Sequence, residues 1–215
     1  MSQNTSHAVM SQRKEANDSL DFFPTPPWAT RALCEWLQGE VRDSIHDMTV
    51  WEPACGQGDM ARPLGEYFGQ VRASDVHDYG FGEIADFLFE VRHAATPDWI
   101  ITNPPFRLGE HFASAAIRCA RRGAAMLVRT AFLESADRHA KLFLETPPTA
   151  ILQFVERVPM FKGRLDRNGA TATAYCWLVW RRNVHGALWS RTTSFHWLAP
   201  CRKRLERDTD YPEAP

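Results

Sequence analysis

Residues 98–106 read Asp98-Trp99-Ile100-Ile101-Thr102-Asn103-Pro104-Pro105-Phe106, an apolar run that stops abruptly in Asn-Pro-Pro-Phe. The two prolines fix φ and remove two backbone donors. What remains is a rigid turn showing carbonyl oxygens, the Asn103 amide and the Phe106 ring. Such a turn suits a planar substrate that bears an amino group. The oxygens accept its hydrogens while the ring stacks on its face. The run before the turn reads as a buried strand, and open α/β sheets place their ligands at the carboxyl ends of strands.

A second constellation begins with Met48-Thr49-Val50-Trp51-Glu52, a short strand running into Pro53-Ala54-Cys55-Gly56-Gln57-Gly58-Asp59. Gly56 and Gly58 let backbone approach a ligand closely. Asp75 follows Gly56 by 19 residues, at the end of the next strand, where an acid accepts from both ribose hydroxyls. The turn is not a full Gly-x-Gly-x-x-Gly, and Glu52 precedes it. That carboxylate would repel a pyrophosphate, whereas the positive sulfonium and ammonium of S-adenosylmethionine suit it. A structural glycine turn with an acidic strand end is the competing reading. A third piece, Asp86-Phe87, offers a carboxylate for an adenine amino group and a ring to pack on it, though alone the pair also reads as an ordinary loop.

These residues need a scaffold of alternating strands and helices. Asp21-Phe22-Phe23-Pro24-Thr25-Pro26-Pro27-Trp28 is stiff and aromatic, and Thr25 is placed to cap a helix that ends near Gly39. The patterning predicts a helix to about Phe68, a strand over Gln70–Ser74 and irregular chain over 76–97. It then predicts a strand over Trp99–Thr102, a helix over Gly109–Arg122, a strand over Ala124–Thr130 and a helix over Leu133–Leu144. The strands Ala150–Val155 and Ala174–Trp180 have no helix between them, which predicts an antiparallel pair. Phe195, Trp197 and Leu198 alternate around His196 as in an edge strand packed on the core. The sum is an α/β, doubly wound, mostly parallel sheet.

Composition agrees with one domain: 215 residues, 44% apolar and 24% charged. We expect a flexible arm over 1–20, one domain over 21–200 and a basic-then-acidic tail over 201–215. The longest apolar run, Ala174–Trp180, is too short for a bilayer, and the polar N-terminus lacks a signal core, so the expectation is a cytoplasmic protein. Five scattered cysteines without a CxxC pair, and histidines without ligand spacing, predict reduced thiols and no metal. The charge is asymmetric: residues 1–150 hold 14 basic and 20 acidic side chains, whereas residues 151–207 hold 11 and 3. A basic C-terminal third suits a phosphate-bearing partner. Arg outnumbers Lys 21 to 4, so coding bias explains the excess equally well.

The order Asp-Phe-Phe-Pro-Thr-Pro, Glu-Pro-Ala-Cys-Gly-Gln-Gly, Ser-Asp, Ala-Asp-Phe, Asn-Pro-Pro-Phe resembles the class I S-adenosylmethionine-dependent DNA adenine-N6 methyltransferases, in their unpermuted, gamma-like motif order. The match covers about residues 21–130. The resemblance implies a Rossmann-like, seven-stranded sheet whose last strand inserts antiparallel. It implies that Phe23, Pro24 and Thr25 line the methionine end of S-adenosylmethionine, with Glu52, Ala54, Gly56 and Gly58 as floor. It further implies Asp75 on the ribose, Asp86 and Phe87 on the adenine, and Asn103, Pro104, Pro105 and Phe106 on the substrate base. Asn-Pro-Pro-[Phe/Tyr] also occurs in enzymes resembling ribosomal-RNA guanine and release-factor glutamine methyltransferases, which usually lack the N-terminal segment. DNA is thus the expected substrate, with RNA, a protein glutamine or a non-catalytic binding module as alternatives. Arg107, Lys162, Arg164 and Arg167 are the expected nucleic-acid contacts. The core consumes nearly the whole chain, leaving the 156–173 loop, the 76–97 stretch and the tail for target recognition, or a partner subunit to supply it.

Overall fold

The computed structural model describes residues 21–41, 43–183 and 191–211. The arm expected over 1–20 lies outside them. The first helix, α1 (Pro27–Glu40), opens on Pro27, at a position where a missing N–H costs nothing. Its N-cap is Pro26, with no side-chain cap. Thr25 therefore does not cap the helix as expected.

One sheet organises the rest. Its strands are β1 (Thr49–Glu52), β2 (Gln70–Asp75), β3 (Glu83–Ile84), β4 (Trp99–Thr102), β5 (Gly123–Arg129), β6 (Ala150–Phe154), β7 (Tyr175–Arg181) and β8 (Ser194–Leu198). The order across the sheet is β3-β2-β1-β4-β5-β7-β6-β8. β7 runs antiparallel to both neighbours, with Ala125 opposite Val179 and Ile151 opposite Leu178. All other pairings are parallel. The helix-free final pair is thus antiparallel as expected.

Among the described residues the expected count of seven strands is corrected to eight, and the antiparallel strand is the seventh rather than the last. The insertion of β7 between β5 and β6 leaves the outer edge of β6 open, and β8 pairs there in parallel register. β8 presents a different face from the one expected. His196 packs against Trp36 with ring centroids 5.4 Å apart and Leu198 joins the core, while Phe195 and Trp197 point outward.

Side-chain alternation along the strands divides the interior between two faces. Val50, Trp99, Ile101, Leu127 and Trp177 pack with α1 on one face; Trp51, Ile100, Met126, Leu178 and Trp180 pack on the other. The central strands β4, β5 and β7 are therefore apolar almost continuously, as doubly covered strands must be. The helices α2 (Ala61–Leu64), α3 (Phe87–Glu90), α4 (Gly109–Cys119), α5 (Ala136–Arg138) and α6 (Arg202–Leu205) are mostly single turns. The helix expected over 133–144 is broken: a 3-10 turn over Thr130–Leu133 precedes α5, and a π turn over His139–Phe143 follows it. The stretch over 76–97, expected to be irregular, holds β3 and α3. All five cysteines are free.

Candidate active site

Strand order reverses between β1 and β4, and the carboxyl ends of β1, β2 and β4 open on that reversal. There lies a cavity of about 260 Å³ lined by residues from all three strand ends and from the segment before α1. Of the residues singled out in the sequence, Phe23, Pro24, Thr25, Glu52, Ala54, Gly56, Asp75, Asn103, Pro104, Pro105 and Phe106 all line it.

The Asn103 amide is oriented by its surroundings. Its Nδ2 donates to the Phe23 carbonyl at 2.9 Å and to Thr25 Oγ1 at 3.2 Å. A carbonyl can only accept, so the amide cannot be turned the other way. Oδ1 is left buried without a hydrogen-bond partner among the described residues. Thr25, 3% exposed, thus serves Asn103 rather than the helix. Loop 156–173 reaches the same point, where Met160 Sδ lies 3.8 Å from Nδ2.

The glycine turn is shaped by close packing. Gly56 has φ of +50°, and a Cβ there would lie 2.5 Å from the Phe22 ring. Asp75 Oδ2 accepts from the Gly56 N–H at 2.9 Å, and Oδ1 accepts from the His77 N–H at 3.0 Å. Asp75 therefore locks the turn to the end of β2. Gly58, at φ +87°, backs onto Phe81 and is not in the cavity wall. Asp59, to which the motif spacing assigns no role, does line the cavity.

Three carboxylates, on Glu52, Asp59 and Asp75, share this cavity. Burial above all, then the charges of Asp59 and Asp75, pushes the Glu52 carboxyl well above the usual carboxylate range, against an opposing Ala61 N–H. Its Oε2 is buried without a hydrogen-bond partner among the described residues. Burial likewise raises Asp59, with Arg62 opposing. Clustered acids with an unsatisfied oxygen suit a cationic ligand. A sulfonium or ammonium fits these residues; a phosphate does not.

Phe106 is held on several sides. Asp21 Oδ2 accepts from its N–H at 2.6 Å, the Phe23 ring lies 4.9 Å away and the Arg129 guanidinium sits 3.9 Å over its ring. Arg129 thus covers part of the ring that the sequence reading assigns to stacking, while Phe106 still lines the cavity.

Asp86 and Phe87 are not brought to the cavity. Asp86 caps α3 by accepting from the Leu88 N–H at 2.9 Å. Phe87 is 2% exposed and packs between Trp51 and Phe112. An aromatic after a capping Asp at the start of a helix is apolar-face material, which the residue types alone do not distinguish from a ring platform. His77 and Tyr79 line the cavity instead, from a stretch without periodicity. Tyr79 packs on Phe22 with centroids 4.6 Å apart.

The basic candidates lie outside the cavity. Arg107 and Lys162 are exposed, Arg164 pairs with Asp166 at 3.4 Å and Arg167 with Asp208 at 2.8 Å. The loop that carries the last three is anchored beside the site, because the Gly163 N–H donates to the Phe22 carbonyl at 2.9 Å. No group of metal-ligating side chains occurs among the described residues, and none of their helices is long and apolar enough to cross a membrane.

No protein-family model matches the chain, and no curated protein matches it. Solved structures share its fold. The modification subunit of a candidate type I restriction enzyme from Vibrio vulnificus YJ016 aligns over 92% of this chain with a TM-score of 0.56 and 17% identity. The chain spans 51% of that subunit's length. A candidate RNA methyltransferase from Pyrococcus horikoshii aligns over 77% of this chain and 89% of its own, with a TM-score of 0.54 and 15% identity. The Thermoplasma acidophilum protein 1320 aligns over 74% and 87%, with a TM-score of 0.51 and 18% identity.

Proposed function

We propose that this protein transfers a methyl group from S-adenosylmethionine to an exocyclic amino nitrogen, most favourably N6 of adenine in DNA. The observation that carries the reading is the Asn103 amide, whose Nδ2 is committed to Phe23 and Thr25 and whose Oδ1 is left for a donor that the described residues do not supply. An amino hydrogen is such a donor. When bound, S-adenosylmethionine supplies an electrophilic methyl group on a sulfonium centre. Glu52, Asp59 and Asp75 supply the negative wall for its charge, and Gly56 lets backbone approach it.

The chain's own work is on the amine. An exocyclic amine is a poor nucleophile because its lone pair is delocalised into the ring. Asn103 Oδ1 and the Pro104 carbonyl each accept one amino hydrogen, which turns the nitrogen toward pyramidal geometry and frees the lone pair. Positive charge developing on nitrogen then meets preorganised dipoles. The base must leave the duplex to reach the cavity, at a cost of a few kcal/mol.

DNA is favoured by the Phe-Pro-Thr-Pro segment, which sits in the cavity wall and orients Asn103, and by the likeness to a restriction-enzyme modification subunit. RNA is the second reading, favoured by the likeness to a candidate RNA methyltransferase that the chain nearly spans. The 156–173 loop is then the recognition element, alone or with a partner subunit. Labelled cofactor offered to DNA, RNA and protein pools, with the methylated atom located by mass spectrometry, separates these readings. Asn103→Ala is expected to lower transfer about 10²–10³-fold, the usual cost of one transition-state partner, with cofactor affinity nearly kept. Near-normal turnover in that variant would contradict the reading.

A further inference from the structure

A second cavity, of about 180 Å³, meets the first at Pro104 and Phe106 and extends toward the end of β5 and the start of α5. Its walls are largely apolar, with Phe106, Val128 and Phe132 among them, and its polar groups are two guanidinium groups. Arg129 lies over Phe106, and Arg138 lies over the Phe132 ring at 3.8 Å while donating through Nη1 to the Phe132 carbonyl. The Arg138 Nε–H is buried with no acceptor among the described residues. A buried donor left without an acceptor is costly, so a ligand that brings the acceptor recovers that loss.

We propose that this cavity receives the substrate's ring and that Arg138 is a specificity-determining residue, which selects ring systems carrying an in-plane acceptor nitrogen. The inference rests on the transfer reaction argued above, and it names how that site chooses among amines. The volume corresponds to about six waters, room for one small planar group. Arginine stays protonated and has no acceptor, so it rejects a ring edge that itself donates. The one cavity donor that is both buried and unmet among the described residues, the Arg138 Nε–H, matches a ring nitrogen with one lone pair. The acceptor-bearing edge of adenine meets these terms.

The test uses the full chain and DNA duplexes in which the target adenine is replaced by 1-deaza-, 3-deaza- or 7-deazaadenine. Each analogue removes one ring acceptor and keeps the amine. With the wild-type protein, one analogue is expected to lose about 10- to 100-fold in kcat/KM relative to adenine. Arg138→Met is expected to lower kcat/KM on adenine by a similar factor and to remove the discrimination against that analogue. Arg138→Lys, which keeps a cationic donor, serves where the Met variant does not fold; melting temperature and cofactor affinity report folding in each. Equal discrimination in wild type and variant, or no discrimination in wild type, overturns the role of Arg138. Transfer by the wild type to no adenine at all instead overturns the proposed function, and this inference with it.

Discussion

Glu52 shows how one buried group can report on the site. It is 2% exposed, and burial, then Asp59 and Asp75, raises its pKa. A folded-state pKa above the unfolded one adds stability fully at pH below the ordinary carboxylate value. That stability is lost as pH rises through the raised value. Glu52→Gln is therefore expected to melt above wild type at alkaline pH, with the gap closing toward acid, in thermal scans of the ligand-free protein. The same variant is expected to bind S-adenosylmethionine more weakly. A cation favours the ionised acid, so binding to wild type should release a proton, seen by calorimetry in two buffers of different ionisation enthalpy. A pH-independent melting difference together with no proton release would remove Glu52 from the cation site.

At the scale of elements, α1 matters because its amino end feeds Phe23, Pro24 and Thr25 into the cavity. Arg31 fastens that helix. Its guanidinium donates to both Glu66 oxygens at 2.8 and 2.9 Å, to both Asp210 oxygens at 2.7 Å and to the Leu205 carbonyl at 2.8 Å. Burial works against the charge, and the two carboxylates outweigh it, holding Arg31 protonated. The network joins α1, the turn after α2 and the C-terminal segment. Removing one partner strands buried charge, so Arg31→Ala is expected to cost about 3–5 kcal/mol in urea unfolding. A change of under about 1 kcal/mol, the worth of an exposed pair, would mean the C-terminal segment is not docked in solution.

At the scale of the molecule, both cavities open at the carboxyl ends of the strands, and the basic 156–173 loop is tied to the rim through Gly163. On the function proposed above, a nucleic acid entering from that side would meet Lys162, Arg164 and Arg167. Changing all three to Gln is expected to weaken binding across sequences. It should also flatten the slope of log K against log salt by about 0.9 for each duplex phosphate that is no longer neutralised. Arg167 is already paired with Asp208 and lies near Glu206, so its share should be the smallest. An unchanged salt slope would place the phosphate track elsewhere on the surface.

Much of this architecture was legible in the sequence because its signals are local. Alternation of strands and helices gave the α/β class, the missing helix after Phe154 gave the antiparallel pair, and the Asn-Pro-Pro-Phe turn marked a strand end. Short motifs also named most of the residues that line the cavity, since a strand end and its turn travel together along the chain. What the chain alone determined, then, is which residues sit at strand ends and with what chemistry. Only the tertiary structure decided which of them meet. The same Asp-aromatic types lie in the cavity wall at Asp21-Phe22, whereas at Asp86-Phe87 the ring packs into the core and the exposed acid caps α3, because packing across the sheet, not residue type, chooses the face. Asn103 acquires its direction from Phe23 and Thr25, roughly 80 residues away. Arg138 lines the second cavity beside Pro104 and Phe106, which lie far from it in sequence. Such meetings depend on which surfaces the sheet order brings together, and periodicity along one segment carries no record of that.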